Sequence, residues 1–172
     1  MAIEELQSTA ITAMEAIRTG SGSTPASKVI HGGVIKECVA TFEAGIFDAL
    51  STYRICRLPS YARLSQIIVK GDTALVGGPI DIGVYRTPAH GGAVVDLDIL
   101  ATDIDVATAA ITTTELNSLW DVLDIANVEQ RLWEMAGLSA DPGQQLDIVM
   151  TTSTAITTGG TITFVIRYVD GD

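Results

Sequence analysis

The chain is short of basic residues. Ten Lys and Arg stand against 21 Asp and Glu, giving a net charge of −11 over 172 residues. Affinity for nucleic acid rests on clustered cations that neutralise phosphates. Scattered cations in an acidic body do not supply it, so no nucleic-acid partner is expected. Cysteine is scarce as well. Cys38 and Cys56 are the two in the chain, too few for a disulfide scaffold. Both sit in apolar, strand-like runs, where a free thiol packs as a small hydrophobe. A bridge between them requires their strands to be neighbours. No apolar run approaches the ~20 residues that a membrane helix needs. The opening Met1-Ala-Ile-Glu-Glu-Leu6 has neither the basic start nor the apolar core of a signal peptide. These absences point to a soluble protein, without a membrane partner, made in a reducing cytoplasm.

Reactive constellations are missing too. His31 and His90 are the only histidines, each beside a Gly-Gly pair. A zinc site needs three or four ligands, and no Cys or Glu stands at matching spacing. No Gly-x-Ser-x-Gly elbow presents a nucleophile; the nearest text, Gly20-Ser-Gly-Ser-Thr24, lies in a Gly/Ser linker. The doublets Gly32-Gly33, Gly77-Gly78, Gly91-Gly92 and Gly159-Gly160 lack the Lys and Ser or Thr of a phosphate loop. Asp96, Asp98, Asp103 and Asp105 cluster, but without the Gly-pinned loop that gathers six to eight oxygens around calcium. Alternating carboxylates on a solvent-facing strand account for Asp96 and Asp98. The sequence thus names no catalytic, cofactor-binding or metal-binding residue, and it reads as a protein that is not an enzyme.

What is present is alternation. In Thr161–Val169, Ile162, Phe164, Ile166 and Tyr168 fall on one face, opposite Thr161, Thr163, Val165 and Arg167. Side chains alternate along a strand, so this is a strand with one buried face. Similar runs predict strands over Val34–Glu43, Thr52–Leu58, Ala62–Lys70, Pro79–Arg86, Val94–Leu100 and Gln145–Thr151. The first places Ile35 and Val39 on one face, and Val34, Cys38 and Phe42 on the other. The fifth places Val95, Leu97 and Ile99 inward. Gln145–Thr151 is expected to pair with Thr161–Val169 across a loop ending in Gly159-Gly160. One helix is expected, with Asn127 as N-cap and Gln130 three residues on. Val128, Leu132, Met135 and Ala136 form its apolar face, and Gly137 ends it. Trp120 and Trp133 read either as core or interface anchors or as a carbohydrate platform.

The first 33 residues differ. Ile3, Leu6, Ala10, Met14 and Ile17 recur at helical spacing before Thr19-Gly-Ser-Gly-Ser-Thr-Pro25 interrupts them. Residues 1–33 are therefore expected to be an N-terminal arm and linker, read either as a frayed terminus or as an arm that docks on a neighbouring subunit. Residues 34–172 are expected to be the body, mainly β: an antiparallel β-sandwich of jelly-roll type with one short helix. A charge-poor surface and an apolar-striped arm both need cover, which points to a homo-oligomer.

Three stretches resemble a known family. They are Tyr53-Arg-Ile-Cys-Arg-Leu-Pro-Ser60 with Ala62-Arg-Leu-Ser65; Asp81-Ile-Gly-Val-Tyr85 with Gly91-Gly-Ala-Val-Val-Asp96; and Arg131-Leu-Trp-Glu-Met-Ala-Gly-Leu-Ser-Ala-Asp-Pro142 followed by Leu146-Asp-Ile148. In this order they are similar to tailed-phage virion proteins usually encoded beside the major capsid protein, the capsid decoration, or cement, proteins. The resemblance spans Val34 to Val169 and excludes the segment before Ser27. It implies a non-enzymatic virion protein, made in the cytoplasm of a bacterial host. It further implies binding to the major capsid protein on the capsid exterior as an oligomer, commonly a trimer. A head-fibre or tail accessory that binds carbohydrate or a receptor is the alternative.

Overall fold

The computed structural model describes residues 33–71, 76–105 and 127–170. The arm before Gly33, with His31, and the segment containing Trp120 lie outside them. Among the described residues the strands are β1 (Val34–Ala44), β2 (Thr52–Pro59), β3 (Arg63–Gly71), β4 (Val76–Gly77), β5 (Ile80–Arg86), β6 (Val94–Ile104), β7 (Gln145–Thr152), β8 (Ile156–Thr158) and β9 (Gly160–Asp170). The α-helix among the described residues, α1 (Leu132–Met135), precedes β7. A three-stranded sheet in the order β1-β9-β3 packs on a four-stranded sheet in the order β2-β7-β5-β6, and β4 pairs with β8 beside them. Every pairing is antiparallel. The chain's early strands lie against its late ones, β1 on β9 and β2 on β7, as a long ribbon rolled into two sheets. This is the antiparallel sandwich of jelly-roll type expected from the alternation.

The expected pairing of Gln145–Thr151 with Thr161–Val169 is corrected. β7 lies between β2 and β5, and β9 lies between β1 and β3, in the other sheet. Both strands carry a fully buried inner row: Leu146, Ile148 and Met150 on β7, and Ile162, Phe164 and Ile166 on β9. Such rows bury most surface when each strand is central to its own sheet and the two face each other. Together with Leu64, Ile67, Val69, Ile80, Ile82 and Val84 they form one hydrophobic core. Each side chain of this size contributes roughly 1.5–3 kcal/mol on burial.

Two irregularities shape the sheets. In β2 the pairing runs Arg54↔Val149 and then Cys56↔Ile148, so Ile55 is an extra, bulged residue. Strict alternation would put Arg54 and Arg57 on opposite faces. The bulge puts both outside and turns Cys56 inward. In β6 the partner steps from Ala101, opposite Ile82, to Asp96, opposite Val84. The intervening residues bulge out, so the expected inward set of Val95, Leu97 and Ile99 is only half-buried, while Leu100, Ala101 and Ile104 are buried. At this bulge the β6 backbone bears down on Gly83. A Cβ there would lie 2.1 Å from the Leu97 carbonyl oxygen and 2.3 Å from that of Asp96.

The helix is shorter than its sequence pattern. Asn127 accepts from Gln130 N–H in a turn at 2.9 Å, and Val128 is 40% exposed, so neither joins α1. Arg131 stands at the N-cap, and the Glu134 carboxylate accepts its N–H at 2.7 Å. Gly137, at φ +69°, ends the helix as expected. Leu132 and Trp133 donate their N–H groups to the carbonyls of Ala62 and Ser60, at 2.8 and 3.1 Å. These bonds hold α1 against the β2–β3 turn, and Leu132 is fully buried in the core.

Two substitutions probe this packing. Gly83→Ala is expected to lower stability by about 2–3 kcal/mol, because the added methyl meets backbone rather than a movable side chain. A urea midpoint equal to that of the parent would show that the β6 bulge lifts away freely. Leu132→Asp is expected to abolish folding, since an unpaired buried charge costs several kcal/mol. Parent-like melting of this variant would show that the helix face is not core.

Candidate interaction surface

The described large hydrophobic residues exposed to solvent are Val34, Ile35, Val39, Ile46, Leu50, Val94 and Val128. Five of the seven belong to β1 or to the connection that follows it, so apolar exposure is concentrated on one edge. β1 is 11 residues long and, among the described residues, pairs on one side only. A long, apolar edge strand offers unpaired N–H and C=O groups together with hydrophobic area, a combination suited to contact with another chain.

The outer face of this sheet is built in alternating rows. Val39, Val165 and Ile68 stand side by side in an apolar row. Next to it is a polar row in which Arg167 donates to Glu37 at 2.7 Å and to Gln66 at 2.8 Å. On the other side the Thr41 and Thr163 hydroxyls bond at 2.9 Å. Ile35 and Val39 thus flank an ion pair on the outer surface. The face is buried at Ile68 and Val169 but open at β1, where Ile35 is 66% and Val39 is 59% exposed. The inner side of β1 behaves as expected, with Cys38 and Phe42 half-buried.

The outer face of the four-stranded sheet is a closed polar brace. Asp147 is buried at its centre and accepts from Arg54 Nη1 at 2.8 Å, Arg57 Nε at 2.7 Å and Arg57 Nη2 at 3.1 Å. Burial alone would raise the Asp147 pKa. The hydrogen bonds and charges of Arg57 and Arg54 outweigh that and hold the carboxyl below the ordinary carboxylate value. Arg54 continues to the carbonyls of Arg86, at 2.9 Å, and Gly92, at 3.2 Å, tying β2 to the loop after β5. Its guanidinium lies 5.9 Å from the Tyr85 ring centroid, and the Tyr85 hydroxyl bonds that of Thr151 at 2.9 Å. Beside them, buried Asp81 accepts from Asp103 N–H at 2.9 Å and from the Ser153 hydroxyl at 2.7 Å.

These braces absorb the residues that carry the family resemblance. Arg54, Arg57, Asp81, Tyr85, Gly92 and Asp147 meet on one face. Ser60, Leu132, Trp133 and Asp141 meet where the helix docks, the Ser60 hydroxyl donating to Asp141. Asp81 and Asp147 fall within the stretches that carry the resemblance, but neither was assigned a role from the sequence. Their signal was a lone carboxylate among buried apolar neighbours, as in Leu146-Asp-Ile148.

The other residues weighed in the sequence come together less. His90 ends a short turn, its Nδ1 bonded to the Thr87 hydroxyl at 2.8 Å. Asp96 accepts from Asp98 N–H at 3.3 Å, and slight burial together with neighbouring Asp96 and Asp81 raises the Asp98 pKa. Among the described residues, no three His, Cys, Asp or Glu side chains are placed to hold a metal ion, and no helix is long and apolar enough to cross a membrane. Trp133 is half-buried against the core, its Nε1 enclosed without a partner.

No protein-family model matches the sequence, and no curated protein matches it. Solved structures of similar shape include a chain of the capsid of Ralstonia phage GP4, at TM-score 0.52 and 13% identity, covering 88% of this chain and 90% of that one. A chain of the cyanophage Pam1 capsid asymmetric unit has TM-score 0.47 and 15% identity, covering 87% and 94%. At such identity the first likeness is one of fold.

The brace has a pH signature. A carboxyl with a depressed folded-state pKa stabilises fully above its unfolded value, near 3.9, and loses that contribution as pH falls through the folded value. Asp147→Asn is therefore expected to cost about 2–3 kcal/mol at neutral pH, the scale of hydrogen bonds to charged groups. It is also expected to flatten the fall in stability below about pH 4, where the parent carboxyl protonates. Denaturant melts across this range measure both effects. Equal acid slopes in parent and variant would remove Asp147 from the account of acid lability.

Proposed function

We propose that this chain is a structural protein of a tailed-phage virion that binds the outer surface of the capsid and stabilises it, a decoration or cement protein. The open apolar edge at β1 carries this reading. It offers Ile35 and Val39 for contact on a body whose buried carboxylates Asp81 and Asp147 are occupied in bracing its own sheets. The jelly-roll likeness to a chain of the Ralstonia phage GP4 capsid and the motif resemblance support the same role. The partners are the major capsid protein and further copies of this chain, in a homotrimer, on the capsid exterior. The acidic body suits that place, because it does not compete for packaged DNA. Residues 1–33 form an arm that docks on a neighbouring subunit, and residues 34–172 form the body. This reading assigns no catalysis.

Binding to intact shells and not to their dissociated subunits raises shell stability by RT ln(1 + [L]/Kd), roughly 2.7 kcal/mol per site at a hundredfold excess over Kd. Adding the protein to shells that lack it is therefore expected to raise the temperature at which they rupture. Val39→Asp should melt like the parent, its site being exposed, but protect shells less. Rupture curves unmoved by saturating parent protein would rule out cementing. If the protein still bound those shells, an adhesion module for carbohydrate or a receptor would take its place.

A further inference from the structure

β1 and β2 are edge strands of different sheets, joined by the connection after Ala44. The Phe42 ring of β1 stacks on the Tyr53 ring of β2, with centroids 4.3 Å apart and planes 10° apart. From that contact the two strands run in opposite directions. Four residues back along β1 is Cys38, and three residues on along β2 is Cys56. Cys38 pairs with core Ile166 and Cys56 with core Ile148. Both cysteines therefore look into the space between the sheets, Cys56 because of the bulge at Ile55. Both lie on the same side of the Phe42–Tyr53 stack and face one another across the sandwich edge. Both are free and half-buried at the sandwich edge.

We propose that Cys38 and Cys56 form an oxidative modification site, at which a small-molecule disulfide converts the two thiols into a bridge that staples the edges of the two sheets. The oxidant is a disulfide of the glutathione class. The Cys38 thiolate attacks one sulfur of the oxidant, forming a mixed disulfide and releasing one reduced thiol. Cys56 then loses its proton and attacks the Cys38 sulfur, expelling the second reduced thiol. Two thiols are oxidised and one disulfide is reduced, with both protons passing to the released thiolates or solvent. Burial, with Cys38 alongside, pushes the Cys56 thiol well above its ordinary pKa. The second step is therefore slow at neutral pH and accelerates as pH rises. The bridge fixes the loop between the two cysteines and restricts the unfolded chain. This site does not depend on the proposed virion role.

The test uses the reduced full-length chain, incubated with excess oxidised glutathione near pH 8 and mapped by mass spectrometry without reduction. The expected product is a linked Cys38–Cys56 peptide pair, in a chain lighter by two hydrogen atoms. Its melting temperature should rise by roughly 5–10 °C, as a loop of this length implies, and fall back on treatment with a dithiol. Cys56→Ser should take glutathione at Cys38, form no bridge and show no rise. Stable mixed adducts on the parent, links only between chains, or a bridge forming only in denaturant would overturn the proposal. So would a bridged chain that melts no higher than the reduced one.

Discussion

β7 and β9 meet across the core, and each holds two neighbours on its backbone. That arrangement constrains everything outside it. Because β9 must pair with both β1 and β3, and β7 with both β2 and β5, the chain passes repeatedly between sheets. The inner rows of the two strands are fully buried in the core. The outer side of β7 then has to accommodate a carboxylate at a position as buried as the core. Asp147 is tolerated there because two guanidiniums from β2 reach it. A buried charge without such partners costs several kcal/mol.

The extra residue in β2 links these features. Ile55 shifts the alternation by one, so Arg54 and Arg57, three apart, share the outer face while Cys56 joins the inner one. One local irregularity therefore sets both the brace on Asp147 and the meeting of the two thiols. It also explains the dense text Tyr53-Arg-Ile-Cys-Arg-Leu-Pro-Ser60, in which nearly every residue has a contact to keep. The residues behind the family resemblance are in this sense architectural. They hold the second sheet and the helix in place, and the edge offered to a partner lies elsewhere, on β1.

The body was largely legible. Alternation located seven of the strands to within a few residues, and the inner row of β9 was read correctly. Periodicity reports which face of a strand is buried and says nothing about which strand lies beside it. The neighbours of β7 were missed for that reason: two strands close in sequence, with a glycine-rich loop between them, look like a hairpin. Short β4 and β8 carry too few residues to show a period. The β6 bulge left the expected inward set only half-buried, with Val95 and Ile99 still packed on the core, because a bulge changes phase without changing composition. Helix capping at Asn127 satisfied every local rule, yet the first turn stands apart from α1, which is held by bonds to Ala62 and Ser60. Of the interaction surface, the apolar residues of β1 were visible, but their exposure follows from the edge position of that strand, a property of topology.

The pairing of the first body strand with the last has a consequence for how the chain is made. Lys36 and Asp170 form an ion pair across 134 residues of sequence. Val34 to Ala44 therefore waits without its sheet partner until Gly160 to Asp170 has left the ribosome. Folds dominated by such distant pairings close slowly, and strands without partners are prone to associate wrongly in the interval. The net charge of −11 opposes such association, because like-charged chains repel one another before as well as after they fold.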